Sequence, residues 1–149
     1  MPFSIKNMIE TMAANEKDSG NYLKTYGSKL NSPGLKKLLM SIAQQEKEHE
    51  MELRELLTGT SLSDSFSENI GAEIRPALFT DISSKKTNLT TGEMLSFLLK
   101  YFKAMAALYA ALARAAFDAQ LQILFKRLAE EETKILHWVQ DRYDLEALQ

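Results

Sequence analysis

Sliding the sequence against itself by 86 residues, the distance from Ser32 to Asp118, lines up its two halves. Leu35 falls on Leu121, Leu38 on Leu124, Ile42 on Leu128, Ala43 on Ala129, Glu46 on Glu132 and Leu53 on Val139. Upstream, Ile9 falls on Leu95, Met12 on Leu98, Lys17 on Lys103, Tyr26 on Leu112 and Gly27 on Ala113. Any two amphipathic helices align tolerably, because they share one period, but here the cap positions and the spacing between helices agree as well. The chain reads as one helical hairpin used twice, which commits it to an all-α architecture.

The periodicity predicts the first helix from about Phe3 to Leu30, with Ile5, Met8, Ile9, Met12, Leu23, Tyr26 and Leu30 on one face and Pro2 at its start. Gly20 within it costs about 1 kcal/mol of helix propensity relative to Ala and permits close packing. The segment NSPG breaks the chain, Ser32 serving as N-cap and Pro33 as first helical residue. A second helix follows, ended by Thr58 and Gly59. Residues 58–90 are rich in Ser, Thr, Asn, Asp and Gly, with apolar groups at Ile70, Ile74, Leu78, Phe79 and Ile82. A structureless loop of this length is unusual inside a compact domain, so the segment is expected to cross the bundle and pack part of itself down, with room for a short helix. Thr90 and Glu93 form a capping box for a third helix running to Phe117. Asp118 caps the fourth, which carries Leu121, Leu124, Leu128, Ile135, Val139 and Tyr143. Short, long and short connections give a four-helix bundle of two hairpins joined by one crossover, a single domain over residues 1–149.

Within this frame one segment breaks the pattern. The apolar stripe of the second helix runs Leu35, Leu38, Leu39, Ile42, then Leu53, Leu56 and Leu57, and Glu46 and His49 fall in the gap. At i and i+3 they project from one face, aiming a carboxylate and an imidazole at the same point, as a metal in a helical bundle requires. The alternative is a partly exposed polar pair at the edge of the stripe. Glu16 also lies on the core side, one turn beyond Met12. Under the repeat, Glu16 maps to Phe102, Glu46 to Glu132 and His49 to Ile135, so the second hairpin keeps one polar seam residue of three.

Composition narrows the chemistry. With no cysteine there is no disulfide framework, thiolate zinc site, iron–sulfur cluster or catalytic thiol, and any metal must rest on carboxylates and the two histidines. A net charge of -2 offers no basic surface for nucleic acid. No run reaches the ~18 consecutive apolar residues of a membrane span, and the start MPFSIKNMIE lacks a secretory layout, so a cytoplasmic protein is expected.

These helices and their polar residues resemble the ferritin-like superfamily, and specifically its rubrerythrin-like branch. AANEKDSGNYL is similar to the first-helix signature, with Glu16 as ligand followed by an aromatic near Tyr22, and IAQQEKEHE to the second. LKYFKAMAALY looks like the third helix with Phe102 in the Glu position and Tyr109 where the family often has a tyrosine. LAEEETKIL looks like the fourth, with Glu132 in place and Ile135 where the histidine belongs. The resemblance implies a Glu on the first and third helices and a Glu-x-x-His on the second and fourth, around two irons. It further implies that Glu16 and His49 are terminal ligands of one metal and that Glu46 and Glu132 are the former bridging carboxylates. Phe102 and Ile135 delete the other metal's shell. Three carboxylates and one imidazole suit at most one iron, manganese or zinc ion, with room for water.

Three carboxylates in an apolar seam repel one another and lose hydration, so without a cation one must take a proton or recruit a positive partner. His49 as imidazolium is the candidate, and a metal-free polar core held by Glu to His hydrogen bonds is the competing state. A single metal between aliphatic and phenyl walls cannot run two-iron, two-electron chemistry. The resemblance therefore implies a degenerate di-iron site with residual redox activity toward oxygen or peroxide, and, absent a rubredoxin-like iron centre, a separate protein as electron donor. A non-enzymatic bundle acting through dimerisation or a protein partner is the alternative. His137 lies five residues past Glu132, about 140 degrees around the helix, and is read as a surface residue. Of Glu130, Glu131 and Glu132 only one can point inward, and a one-residue register error would select Glu131. The run AMAALYAALARAAF lets another helix approach closely, within the bundle or at a homodimer face, or simply favours helix.

Overall fold

The computed structural model describes residues 5–59, 66 and 89–148. They form four helices: α1 (Ile5–Ser28), α2 (Pro33–Gly59), α3 (Thr91–Ala115) and α4 (Ala119–Ala147). The repeat holds to the residue at the start of each hairpin's second helix, since α2 and α4 begin 86 positions apart. The described residues group into two compact units, one containing α1 and α2, the other Phe66, α3 and α4. Pro2 and nearly all of the 58–90 crossover lie outside the described residues.

In the first unit α1 and α2 pack as a hairpin. The chain leaves α1 through a tightened last turn, Lys29 N–H donating to Tyr26 O at 3.1 Å and Leu30 N–H to Gly27 O at 3.2 Å. Ser32 then caps α2 as expected, its Oγ accepting from Leu35 N–H at 3.3 Å, with Pro33 placed where its missing N–H is no loss. The buried face of α1 carries Ile5, Met8, Ile9, Met12 and Leu23, and that of α2 Leu35, Leu39, Ile42 and Leu53. Leu38, Leu56 and Leu57 are only half-buried, so the seam runs along the Leu39 edge of the expected stripe. Gly27 lies against α2: a Cβ there would stand 3.2 Å from Met40 Cε and 3.5 Å from Leu39 Cβ.

The second unit repeats the hairpin with a more apolar seam. Thr90 and Glu93 close the expected capping box, Glu93 N–H donating to Thr90 Oγ1 at 3.1 Å and Thr90 N–H to Glu93 Oε1 at 3.0 Å. The helix ends at Ala115, two residues short of the expected Phe117, which is 69% exposed. Asp118 Oδ1 accepts from Gln120 N–H at 2.6 Å and starts α4. Tyr101, Phe102, Met105, Leu108, Tyr109 and Leu112 are buried on α3. Phe125, which the expected α4 stripe passed over, is fully buried, its ring stacked on Tyr109 at 6.3 Å and tilted against Phe66 at 5.9 Å. Burial of each such large side chain contributes roughly 1.5–3 kcal/mol. α3 is also long and apolar enough to cross a membrane by length and composition alone, and half of its most apolar stretch is buried in the protein.

Partly exposed i, i+4 ion pairs decorate the helices: Glu50–Arg54 at 2.7 Å, Arg127–Glu131 at 2.8 Å and Arg142–Glu146 at 3.0 Å. Within reach of water, each contributes only a few tenths of a kcal/mol.

Candidate metal centre

The polar gap in the first hairpin is closed from both helices. α1 turns Glu16 inward one turn past Met12, and α2 turns Glu46 and His49 inward between Ile42 and Leu53. All three belong to the core, with exposures of 0%, 0% and 1%, which rules out the rim position for the Glu46–His49 pair. His49 Nδ1 stands 3.8 Å from Glu16 Oε1 and 3.6 Å from Glu46 Oε1. The three side chains each place one donor atom within 4.8 Å of the others.

Those separations are longer than a hydrogen bond between nitrogen and a carboxylate, which centres on 2.7–2.9 Å when charged. They are within reach of an ion pair with a protonated His49, and they also match ligands that share an ion: donors about 2.1 Å from a common metal stand roughly 3 to 4 Å apart, depending on the angle between them. Two carboxylates and an imidazole are also the donor types that divalent iron, manganese and zinc accept. Both the geometry and the chemistry of the residues therefore fit a metal.

Ser19 was not anticipated. It lies three residues beyond Glu16 on the same face of α1, is fully buried, and donates its hydroxyl to Glu46 Oε2 at 3.1 Å. A small polar residue one turn from an inward-facing carboxylate was the available signal, and the repeat sharpened it, since its counterpart in α3 is the buried Met105.

In the second hairpin the counterparts of the polar residues stand at equally buried positions. Phe102, Glu132 and Ile135 are each 0% exposed. Tyr101 packs edge-on against Phe102 at 5.2 Å. Of the acidic run, Glu130 is exposed and Glu131 is taken up by Arg127 at 2.8 Å, so Glu132 is the inward member and the one-residue register alternative is excluded. His137 is exposed, as expected. Tyr109 is core. Tyr22 is half-buried, and burial, with a smaller contribution from Tyr26, raises its phenol pKa above the ordinary value of 10.0.

The structure thus brings Glu16, Glu46 and His49 together and buries Glu132 at the position that repeats Glu46. The family model described as Rubrerythrin matches residues 7–134, a span that takes in most of all four helices. No curated protein and no solved structure matches the chain.

Proposed function

Because the chain belongs to the rubrerythrin family, within the ferritin-like superfamily, we propose that it is a cytoplasmic, single-domain metal-binding protein whose di-iron site has been reduced to one position. Glu16 and His49 are the terminal ligands of that position. Glu46 and Glu132 are the carboxylates that in the two-iron arrangement would bridge both metals. One observation carries the reading: two carboxylate oxygens flank His49 Nδ1 at 3.6 and 3.8 Å in a seam closed to solvent. Glu132 supports it as a wholly buried carboxylate in an otherwise apolar stripe.

The ion is iron, manganese or zinc, one per chain. Iron or manganese, when bound, supplies a one-electron couple open to oxygen or peroxide. The carboxylates hold the ion's charge in a medium that cannot, and the apolar neighbours keep bulk water away from it. Phe102 and Ile135 offer no donor atom, so a second ion has no terminal ligands and two-electron chemistry on a metal pair is not available. The activity is residual redox chemistry. Since the sequence has no cysteine for a built-in rubredoxin-like centre, the electrons come from a separate protein.

A second reading, a non-enzymatic bundle acting through dimerisation or a partner with a vestigial site, is favoured by one observation. The second hairpin carries an open groove of about 600 Å³ lined by Ala106, Ala110, Ala113 and Ala129, with Arg114 and Lys126 beside them. Metal analysis of protein purified without chelator separates the two. One ion per chain, lost in Glu46→Ala and His49→Ala, supports the first. No ion after reconstitution with iron, manganese and zinc supports the second. Two ions would overturn the roles given to Phe102 and Ile135.

A further inference from the structure

We propose that Ser19 is a positioning residue that makes Glu46 a one-oxygen ligand of the centre; the inference rests on the metal-binding reading above. A carboxylate can meet an ion through one oxygen or chelate it through both, and a hydrogen bond to one oxygen favours the first. In this hairpin the oxygens of Glu46 are already assigned to different tasks. Oε1 faces His49 Nδ1 at 3.6 Å, and Oε2 accepts the Ser19 hydroxyl at 3.1 Å. The Ser19 hydroxyl thus holds Oε2 on the α1 side and leaves Oε1 beside the imidazole.

Ser19 is an odd choice on helix grounds alone. A serine in a helix interior costs roughly half a kcal/mol against alanine, and usually turns its hydroxyl to solvent or to the carbonyl one turn back. This one is fully buried and reaches across to the neighbouring helix. Neutral hydroxyl donors to ligating carboxylates fix which oxygen points at the metal, and their removal typically costs ten- to hundredfold in metal affinity.

Cobalt(II) titration tests the inference, because its visible bands report coordination number as well as occupancy. Wild type, Ser19→Ala and Ser19→Thr are compared, with thermal melts of the metal-free proteins confirming that each is folded. The expected result is a roughly ten- to hundredfold weaker cobalt affinity in Ser19→Ala, together with weaker visible bands as the released Oε2 chelates and raises the coordination number. Ser19→Thr, which keeps a hydroxyl, should restore both. A Ser19→Ala protein with wild-type affinity and spectrum overturns the inference and leaves the metal reading standing. So does weaker binding with an unchanged spectrum, which would mark a merely structural serine. A wild-type protein that takes up no cobalt overturns the metal reading itself, and this inference with it.

Discussion

Replacing Gly20 by alanine should stabilise the protein, by an amount that the first hairpin allows to be worked out. Gly20 is buried on α1 in the middle of the helix. A Cβ built there meets Ala43 O at 3.5 Å and Glu46 Cβ at 3.9 Å, ordinary contact distances that require nothing to move. The repeat makes the same point, for Ala106 occupies the equivalent place in α3. Exchanging an interior glycine for alanine contributes about 0.8–1 kcal/mol through helix propensity. The methyl fills space between two packed helices and adds up to about 0.8 kcal/mol. A gain of roughly 1–1.5 kcal/mol follows, which for a chain of this size is a rise of about 3–6 °C in melting temperature. Urea unfolding followed by circular dichroism, with the slope checked for constancy, measures it directly. A midpoint that stays put or falls would refute the reasoning, since it would mean that α1 and α2 approach each other at Glu46 too closely to admit a methyl group.

Removing the Asp118 cap with Asp118→Ala should cost about 1 kcal/mol, read by the same denaturation, because Gln120 N–H loses its acceptor at 2.6 Å. Zinc at about a hundred times its dissociation constant should stabilise the folded protein by about 2.7 kcal/mol, a shift that a calorimetric melt detects and that His49→Ala abolishes. The Tyr22 phenol, raised chiefly by burial, should ionise at higher pH than free tyrosine. Its contribution to stability is therefore intact below the unfolded value of 10.0 and lost as pH climbs through the folded one. A spectrophotometric titration of wild type against Tyr22→Phe, with one late-ionising phenol missing from the variant, checks the direction.

The helices and their caps were legible because they are written locally: Ser32, the Thr90–Glu93 box and Asp118 are each read from a few adjacent residues and a period. The inward turn of Glu46 and His49 was legible for the same reason, as a break in that period, and the repeat then placed Glu132. What escaped was set by contacts across helices. Ser19 looks like any helix serine until α2 brings Glu46 Oε2 to its hydroxyl. Phe125 stands out as core only when Tyr109 and Phe66 close on its ring. The end of α3 came two residues early because Ala116 sits in an extended conformation and bridges to Phe66, a pairing that no local pattern announces.

The unequal seams divide the cost of closing the two hairpins. The α3–α4 hairpin, Glu132 apart, brings together apolar side chains. The α1–α2 hairpin must strip water from two acids and an imidazole, which makes its closure the costlier of the two. A cation that neutralises those groups would offset that cost, so that scarcity of the ion would be felt as a loosened first hairpin as well as lost chemistry.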